Sequence, residues 1–558
     1  MSNNTLEFIP LGGLGEFGMN MFALRCAGDL IVIDAGILFP GSEHLGVDVI
    51  VPDLAFLADH RHELRGLVLT HGHEDHIGAT PYVLSQLNPP VYCTGFTEAL
   101  VRRRLEEHSL PEPPDFNRVA AGDKVKLGCF EVHFIHVTHS TIDCVALAIE
   151  TPLGTIIHSA DFKIDQTPIA GPSFDFHTFA EYGKKGVLLM LSDSTNADRP
   201  GFTPSERTVG PALDDVFSRA EESIFLSCFS SSTHRVQQVI DLSVEHGRKV
   251  ALVGRSLASS SELAHELGRL RIPNGTLVRP QELYKIPRDE RTVLISGSQG
   301  EPLSSLARAS VGNHKHAVIE EDDVVIMSSR IIPGNERPIY RMIDHICRRG
   351  AEVYYGDHNR GLHVSGHASQ EELKLLLSLV RPRYFAPVHG EYRQLSAHAR
   401  LASQINDPNL EETFILQSGE SLVFDEYGAR RGDQVPVGRV LIDAGTGDEI
   451  IEEMVVRDRR RISEFGVIVP IVSIDRQTGK VEQKPEIVSR GYIVSEGGAE
   501  LLEEARGIVL QTVQTSSLEE IADLGVMEEK VRADLRRYLA RKTSRQSRPL
   551  IVPVILES

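Results

Sequence analysis

Residues 66–76 read Gly66-Leu-Val-Leu-Thr-His-Gly-His-Glu-Asp-His76, and this segment is the strongest indication of the fold. Its first half, residues 66–70, is a short apolar run that predicts a buried β-strand. Four side chains of metal-ligand type follow at once: His71, His73, Asp75 and His76. Side chains alternate along an extended segment, so His71 and His73 project to the same side and can share one metal ion. Asp75 and His76 lie where the pattern turns toward a helix and can serve a second ion.

Most of the 23 histidines must be ordinary, but a group of four ligand-type residues within six positions is not expected by chance. Imidazole and carboxylate without thiolate favour zinc or manganese at a catalytic site with open positions, over a closed structural site. Further candidate ligands, His139 and Asp161, follow downstream. The pattern predicts a binuclear metal-dependent hydrolase.

Length and composition predict a multidomain globular protein. A chain of 558 residues exceeds a single core, so about three domains are expected from the usual domain size. The six cysteines are scattered without CxxC spacing, which argues against a zinc ribbon or a disulfide framework and for a reducing compartment. The N-terminus has no apolar signal region, and no apolar run approaches the ~20 residues of a membrane span. We expect a soluble cytoplasmic protein without a membrane partner.

The formal net charge of −20 argues against binding a polyanion by bulk surface charge. Two basic runs nevertheless stand out, Arg457 with Arg459, Arg460 and Arg461, and Arg536 with Arg537, Arg541, Lys542, Arg545 and Arg548. Either run could face nucleic acid. A solvated helix face or a contact between subunits explains each run at least as well.

The chain divides into segments that differ in their pattern of predicted strands and helices. Residues 1–205 alternate short β-like runs with turns and helices, and residues 206–361 follow the regular strand and helix pattern of a separate, inserted parallel sheet. Residues 362–445 return to the first pattern, and a Gly- and Asp-rich stretch leads into a linker at 446–460. The last segment, 461–558, predicts strands at 466–474, 490–495 and 550–556 and helices at 498–512 and 527–541.

Gly13-Leu-Gly15-Glu-Phe-Gly18 fits the dinucleotide-binding pattern GxGxxG, with Asp34 at a suitable distance. A dinucleotide site needs a helix that starts at the glycines, whereas a strand-like stretch follows here. We interpret the glycines as a tight loop that lets backbone approach the metal site, and Asp34 as a residue that braces neighbouring loops by hydrogen bonds.

The motif at 71–76, with His139 and Asp161, resembles the HxHxDH pattern of the metallo-β-lactamase superfamily. The inserted domain and two later histidines, His367 and His389, narrow the resemblance to the β-CASP branch, which processes nucleic acids. Further segments resemble the ribonuclease J family: 11–20, 192–197, 297–302, 363–368, 387–392, 485–492 and 542–555. The resemblance spans nearly the whole chain. It implies an α/β fold, a metallo-β-lactamase αββα sandwich with an inserted β-CASP parallel α/β domain and a small α/β C-terminal domain.

The resemblance also implies the domain boundaries and the site. The metallo-β-lactamase domain would comprise 1–205 and 362–445, the β-CASP domain 206–361, and a C-terminal oligomerisation domain 461–558. One metal ion would be bound by His71, His73 and His139, and the other by Asp75, His76 and His389, with Asp161 bridging. The expected catalytic residues are Asp161, His367 and Asp75. The expected substrate-binding residues are His363, Val364, Ser365, Gly366, His367, Ser232 and His234, although a helix N-cap at Ser232 or Thr233 explains that serine-rich segment as well.

The implied activity is a ribonuclease that uses two divalent ions, Zn²⁺ or Mn²⁺, to activate water against phosphorus. It would act on single-stranded RNA as a 5′-to-3′ exonuclease and an endonuclease, prefer 5′-monophosphate ends, and serve mRNA decay and rRNA maturation. Implied partners are a homodimer or homotetramer and an RNA helicase or other RNA-decay protein. The alternatives are a small-molecule hydrolase of the same superfamily, a non-catalytic RNA-binding scaffold, and a β-CASP DNA-repair nuclease. A small-molecule hydrolase would not need the inserted domain. A non-catalytic scaffold would be expected to have lost metal ligands, and none is lost here. The ribonuclease J-like C-terminal segment argues against a DNA-repair nuclease.

Overall fold

The structure is a computed structural model. It describes residues 5–41, 44–301, 304–332, 335–356, 361–443, 449–451, 453–475, 478, 480–492, 498–516, 521, 524–542 and 549–557. The chain forms two compact units, one of Met1–Leu38 with Val51–Arg439 and one of Phe39–Ile50 with Val440–Ser558.

The described strands are β1 (Leu6–Gly12), β2 (Met21–Cys26), β3 (Asp29–Ile33), β4 (Val49–Pro52), β5 (Leu64–Val68), β6 (Val91–Thr94), β7 (Phe116–Val119), β8 (Lys124–Leu127), β9 (Phe130–His136), β10 (Val145–Thr151), β11 (Gly154–His158), β12 (Val187–Asp193), β13 (Ile224–Ser227), β14 (Lys249–Val253), β15 (Arg291–Ile295), β16 (Val324–Met327), β17 (Glu352–Tyr354), β18 (Pro382–Val388), β19 (Glu412–Thr413), β20 (Glu420–Asp425), β21 (Gly428–Gln434), β22 (Arg439–Asp443), β23 (Glu449–Ile451), β24 (Val467–Ile474), β25 (Glu486–Arg490), β26 (Leu550–Ile551) and β27 (Val554–Glu557). The described α-helices are α1 (Ala55–Asp59), α2 (Glu74–Ile77), α3 (Thr80–Gln86), α4 (Gly95–Leu105), α5 (Phe176–Lys185), α6 (Val209–Arg219), α7 (Thr233–Glu245), α8 (Arg255–Glu266), α9 (Ser305–Ser310), α10 (Glu336–Arg348), α11 (Gln370–Val380), α12 (Tyr392–Ile405), α13 (Glu453–Phe465), α14 (Gly498–Gln514) and α15 (Leu524–Lys542). Short 3-10 helices occupy Glu206–Thr208, Pro280–Lys285 and Arg288–Glu290.

Two large β-sheets pack face to face in the first unit. One has the strand order β21-β20-β1-β2-β3-β5-β6-β7 and the other β19-β18-β12-β11-β10-β9-β8. Their facing sides bury a continuous apolar cluster in which Phe8, Phe22, Phe134 and Leu147 are almost fully enclosed. Burying a side chain of this size stabilises a fold by about 1.5–3 kcal/mol, so this cluster is the main source of the sandwich's stability.

Helices cover the outer sides of both sheets. Helices α5, α11 and α12 pack against the second sheet through a separate apolar cluster, and α4 contacts β6 and β7 of the first. Helix α11 begins with a capping box in which Ser369 and Glu372 satisfy each other's backbone N–H groups. The layers are therefore helix, sheet, sheet, helix, as the family resemblance implied for an αββα sandwich.

The inserted segment forms its own five-stranded sheet with the order β14-β15-β13-β16-β17. The four strand pairs are all parallel, and helices α6 to α10 connect or flank them. Strand β18 then pairs in parallel with β12, matching Asp193 with Val388. The chain thus leaves the second sheet after β12 and returns to the neighbouring position after the insertion, which brings distant sequence segments to one edge.

The second unit contains a β25-β24-β26 sheet, with β27 also paired to β24, and the helices α14 and α15 packed through apolar side chains such as Val509, Leu535 and Leu539. An early segment of the chain belongs to this unit as well. Arg459 on α13 donates to the carbonyl oxygens of Leu45 and Gly46 at 3.3 and 3.0 Å, and Asp48 N donates to Ile442 O at 2.9 Å.

Two sequence predictions differ from the structure here. The strand predicted at 490–495 is wrong at residues 491 and 492, because β25 spans Glu486–Arg490 and Gly491 has a positive φ of 67°, which ends the extended run. Residues 493–495 lie outside the described residues. Of the predicted linker 446–460, residues 449–451 form β23 and α13 begins at Glu453. Among the described helices, none combines the length and apolarity that crossing a membrane requires.

Candidate metal centre

The seven predicted metal-ligand side chains converge on one point at the strand ends of the two large sheets. His71 and His73 lie in the loop after β5, Asp75 and His76 lie on the short helix α2, and the remaining three follow β9, β11 and β18: His139, Asp161 and His389. Most of these side chains are buried. Their ligand atoms form two groups, and within each group all atoms lie within 4.8 Å of one another.

The first group contains three imidazole nitrogens and one carboxylate oxygen. His73 Nδ1 lies 3.1 Å from both His71 Nε2 and His139 Nε2. Asp161 Oδ2 lies 3.7 Å from His71 Nε2 and 3.8 Å from His139 Nε2. A tetrahedral zinc ion with bonds of ~2.0–2.1 Å to nitrogen separates its ligand atoms by about 3.3 Å, so these spacings suit such an ion.

The second group shares one atom with the first. Asp161 Oδ2 lies 3.3 Å from His76 Nε2 and 3.4 Å from His389 Nε2. Asp75 Oδ2 completes this group at 3.6 and 3.8 Å from the same two nitrogens. Because one carboxylate oxygen belongs to both groups, the arrangement fits two neighbouring ions with Asp161 between them.

The outward-facing nitrogens of four histidines are held by hydrogen bonds. His139 Nδ1 donates to Gly366 O at 2.7 Å, His76 Nδ1 to Asp34 Oδ2 at 2.7 Å, and His389 Nδ1 to Asn20 Oδ1 at 2.9 Å. His71 Nδ1 donates to Thr70 Oγ1 at 3.0 Å, and this hydroxyl donates in turn to Asp34 Oδ2 at 2.9 Å. Such bonds fix the ring orientation and leave the other nitrogen free to bind a metal. The prediction that Asp34 braces neighbouring loops is confirmed.

The donor set itself fits metal ions. Since the outer nitrogens of His71 and His139 carry the protons, their Nε2 atoms both present lone pairs toward His73 Nδ1. A single proton on His73 Nδ1 can satisfy only one of these two 3.1 Å contacts. At one of the two contacts, two nitrogen lone pairs therefore face each other. A cation between the two nitrogens would make this contact favourable.

The electrostatics of the site point the same way. Burial and the neighbouring histidines lower the pKa of His71 and His139 well below the usual range, and burial lowers the pKa of His73 to about 4. These rings are neutral ligands near pH 7. Burial also opposes charge on His76, yet the carboxylates of Asp161, Asp75 and Asp34 outweigh it and raise the pKa of His76. The second group therefore has a negative surplus that attracts positive charge.

His367 lies beside both groups, with its ring centroid 5.0 Å from that of His139 and 5.7 Å from that of His389. Its Nδ1 donates to Asp193 Oδ2 at 2.8 Å. Burial opposes protonation of this ring, but the Asp193 carboxylate prevails and raises the pKa of His367 to about 9. Asp193 is itself held in place, because its Oδ1 accepts from both the backbone N–H and the hydroxyl of Thr195.

The predicted substrate loop passes over the first ligand group. Ser365 Oγ accepts from Asn196 Nδ2 at 2.8 Å, and His363 Nδ1 has no hydrogen-bond partner among the described residues. Burial lowers the pKa of His363 to about 3, so the ring is neutral. A Cβ atom at Gly366 would lie 2.8 Å from His139 Cε1, which explains why glycine occupies this position. Val364 differs from its neighbours, because its side chain packs in the apolar core of the inserted domain.

Two predicted substrate residues, Ser232 and His234, lie on the inserted domain and are not joined to the metal groups by any described contact. Ser232 occupies the N-cap position of α7, but its side chain makes no capping hydrogen bond. His234 shares the charged neighbours Glu206, Lys163 and Arg235 with His363. It also lines, with His139, a cleft of about 690 Å³ between the inserted domain and the sandwich.

Sequence reasoning missed two residues of this site, Asp193 and Asn20. Both lie in segments that the family resemblance already singled out, 192–197 and 11–20. Asp193 ends β12 directly beside Val388 of β18. Asn20 follows the glycine loop, whose Gly15 N–H donates to Gly390 O at 2.9 Å. The signal available in the sequence was an acidic residue at the end of a buried strand, the position where α/β folds place chemistry.

The basic runs are largely engaged within the second unit. Arg460 pairs with Glu464, Arg537 with Asp534 and Lys542 with Glu504. Arg459 binds backbone carbonyls as described above, and Arg545 and Arg548 lie outside the described residues. These pairings favour a structural use of both runs over a free nucleic-acid-binding surface.

Comparison with known proteins identifies the family. Four family models match the chain: "Metallo-beta-lactamase superfamily" at residues 14–195, "Ribonuclease J, beta-CASP domain" at 221–346, "Zn-dependent metallo-hydrolase RNA specificity domain" at 358–415 and "Ribonuclease J C-terminal domain" at 454–558. Ribonuclease J2 of Bacillus subtilis is 36% identical over 100% of this chain and 99% of its own length. The chain belongs to the ribonuclease J family.

Other members of the ribonuclease J family are equally similar. Ribonuclease J of Thermus thermophilus is 38% identical over 99% of this chain and 95% of its own length, and that of Synechocystis is 39% identical over 99% and 87%. A solved structure of a protein of unknown function from Enterococcus faecalis has a TM-score of 0.53 and 15% identity, and it covers 75% of this chain and 100% of its own. That likeness supports the fold. The recognition of a ribonuclease J-like chain with metallo-β-lactamase, β-CASP and C-terminal domains is confirmed.

Proposed function

We propose that this ribonuclease J family member is a metal-dependent ribonuclease that degrades single-stranded RNA from a 5′-monophosphate end and also cleaves internally. The observation that carries the proposal is the pair of ligand groups that share Asp161 Oδ2, with the His367–Asp193 pair directly beside them. The matched RNA specificity domain at 358–415 covers His363, His367 and His389. A small-molecule hydrolase would not need that domain, and a scaffold would not need the ligands.

The residues divide the chemistry among them. Two divalent ions, Zn²⁺ or Mn²⁺, held by the two ligand groups would lower the pKa of a water molecule and take up negative charge on phosphate. Asp161 would hold the two ligand groups at a fixed separation. His367, protonated and oriented by Asp193, has its Nε2 available to donate a proton to the departing 3′-oxygen of the sugar. Asp75 completes the second ligand group.

The loop at 363–367 is the proposed phosphate seat. His363 has an unpaired ring nitrogen and Ser365 offers a hydroxyl. On the inserted domain, His234 shares charged neighbours with His363, and Ser232 precedes it at the start of α7. A neutral pocket of donors suits a terminal monophosphate better than a longer, more highly charged triphosphate. End recognition of this kind would give 5′-to-3′ degradation, while an RNA that enters without a free end would be cut internally. By resemblance to the family, we place this activity in cytoplasmic mRNA decay and rRNA maturation, with an RNA helicase or another decay protein as a partner.

The test compares oligoribonucleotides that carry a 5′-monophosphate or a 5′-triphosphate, using wild type, His76→Ala and His108→Ala. His76 belongs to the second ligand group, whereas His108 packs against Tyr82 away from it. We expect wild type and the His108 variant to degrade the monophosphate preferentially and the His76 variant to lose more than about a hundredfold in rate. Measured metal content should fall only in the His76 variant. Equal cleavage by wild type and His76→Ala would overturn the proposal.

For the C-terminal segment 461–558 we propose self-association to a homodimer or homotetramer. The second unit presents apolar side chains to solvent at Val488 on the edge strand β25 and at Val552. We likewise propose the domain division given above, with the metallo-β-lactamase domain at 1–205 and 362–445 and the β-CASP domain at 206–361. A chain truncated near residue 450 should sediment as a smaller oligomer than the full chain, and identical sedimentation would contradict the first proposal.

A further inference from the structure

We infer that Arg235 is a positioning residue of the inserted domain, which sets the phosphate-recognising end of the loop 362–367 and so governs cleavage from RNA ends separately from internal cleavage. The inference rests on the function proposed above. Arg235 lies in the first turn of α7, is 2% exposed, and does not belong to either ligand group.

The loop is anchored at its two ends by different parts of the first unit. At the His367 end, Gly366 O accepts from His139 Nδ1 at 2.7 Å, and His367 O accepts from Thr203 Oγ1 at 2.7 Å. Ala368, which follows, packs in the apolar cluster that covers the second sheet of the sandwich. This end of the loop is fixed to the metal-binding domain.

The other end of the loop is fixed to the inserted domain. The side chains of Leu362 and Val364 pack in the apolar core formed by α6, α7, β13 and β16. Leu362 O accepts two hydrogen bonds, from Arg235 Nη1 at 3.0 Å and from Ser328 Oγ at 2.6 Å. Ser328 directly follows β16 on the same domain. His363, the proposed phosphate contact, therefore follows a residue whose backbone is held by Arg235.

The guanidinium of Arg235 also binds Glu206, which in turn contacts the sandwich. Its Nε and Nη2 donate to Glu206 Oε1 at 3.1 and 2.5 Å, while its Nη1 also contacts Ser328. Glu206 lies 3.6 Å from Lys163 Nζ, and its backbone N–H donates to Asp165 Oδ2 at 2.9 Å. All the charged side chains of this network are buried, and the planar guanidinium of arginine satisfies several of these buried acceptors at once.

A hydrogen-bond path then connects this network to the metal ligands. Asp165 N donates to Thr138 Oγ1 at 3.1 Å, and Thr138 directly precedes His139. Among the described residues, Arg235 thus binds both Leu362 O of the loop and Glu206. Glu206 in turn leads through Asp165 and Thr138 to His139. If the guanidinium is lost, the His363 end of the loop loses one of its two hydrogen bonds at Leu362 O, while the bonds that hold His367 and His139 remain.

The experiment measures two reactions of the full-length protein. A linear 5′-monophosphorylated RNA reports cleavage from the end, and a circular single-stranded RNA of the same sequence, which has no end, reports internal cleavage. The variants are Arg235→Lys, which keeps the charge but not the planar guanidinium, and Ser328→Ala, which removes one of the two bonds to Leu362 O. The matched control is Arg248→Lys, because Arg248 is also buried in the inserted domain and donates to three backbone carbonyls, at Glu222, Arg291 and Ala220.

For Arg235→Lys we expect the KM on the linear RNA to rise about tenfold or more, with kcat and the rate on circular RNA changing far less. Ser328→Ala should shift the KM in the same direction by a smaller factor, and Arg248→Lys should leave the ratio of the two reactions at its wild-type value. If Arg235→Lys does not fold, as judged by its thermal transition, the KM of Ser328→Ala on linear RNA tests the inference by itself.

The outcomes separate this inference from the proposed function. If wild type cleaves neither RNA, the proposed function itself fails. If wild type cleaves both, but the Arg235 and Ser328 variants lower the two reactions in equal proportion or not at all, the positioning role of Arg235 is overturned and the ribonuclease activity stands.

Discussion

Replacing Asp193 with asparagine tests the proposed acid at His367 without emptying the site. Asp193 Oδ1 accepts two bonds from Thr195, so an asparagine would keep its oxygen there and turn its amide NH₂ toward His367. His367 Nδ1 would then have to accept, which leaves a neutral ring with the proton on Nε2. Near pH 8 the variant therefore loses the positive charge on His367 but keeps its position.

The size of the effect follows from the pKa of His367. The carboxylate raises this pKa to about 9, so the ring is charged below that pH and loses its charge as the pH rises through it. If the variant returns to the ordinary pKa of about 6.5, the protonated fraction at pH 8 falls from about 0.9 to about 0.03, a factor of about thirty. At pH 6 both forms are mostly protonated, and the factor shrinks to less than about two.

The assay is kcat for a single-stranded oligoribonucleotide across pH 6 to 9 at ~0.5 pH intervals, with metal content measured on the same samples. A substrate whose scissile 3′-oxygen is replaced by sulfur supplies the chemical control, because a thiolate leaves without a proton and should be insensitive to the substitution. Asp198→Asn is the matched protein control, since Asp198 pairs with Arg393 at the surface. A loss that is independent of pH, equal for the sulfur substrate, or accompanied by lost metal would refute the role of Asp193.

Three further predictions follow from the same contacts. Asn20→Ala removes the acceptor that orients one histidine of the second ligand group, so bound metal should fall from about two ions toward one per chain by elemental analysis, and two retained ions would contradict it. Gly366→Ala places a methyl group 2.8 Å from His139 Cε1, and we expect kcat to fall about tenfold or more; wild-type kcat would show that the loop can shift to accept the methyl group. Arg25 lowers the pKa of Glu63 through bonds of 2.6 Å, so the stability difference between wild type and Glu63→Gln should be full above pH 4.5 and vanish as the pH falls further. Denaturant unfolding at pH 7 and pH 3 measures it, and a difference that grows in acid would reverse the assigned sign.

The clustering of His71, His73, Asp75 and His76 could be predicted because their spacing is local. A strand that runs into alternating histidines fixes which side chains can meet, and the remaining ligands were recognised through motifs of the family. Asp193 carried only a weak signal, its acidic side chain at the end of a buried strand, and the roles of Asn20 and Arg235 follow from no local spacing. Their partners lie far away in the chain: 174 positions separate His367 from Asp193, and 369 separate His389 from Asn20. Such pairs are set by how the insertion returns to the second sheet, which a single sequence does not encode in any short pattern.

The strand predicted at 490–495 failed for a local reason. Apolar residues continue past Arg490, but Gly491 adopts a positive φ that ends the extended conformation. The prediction rested on the strand propensity of the side chains, which does not report the backbone angle of a glycine.

The second compact unit unites residues 39–50 with a segment that begins at Val440, and this has a consequence for synthesis on the ribosome. The early segment emerges about 390 residues (440 minus 50) before its partner exists. At ~5–20 residues per second, that interval is about 20–80 s. During this time Leu45 and Gly46 lack the arginine that later binds their carbonyls. The nascent chain must therefore tolerate residues 39–50 without their folding partners for this interval. The second unit can fold only after the segment from Val440 onward has been synthesised.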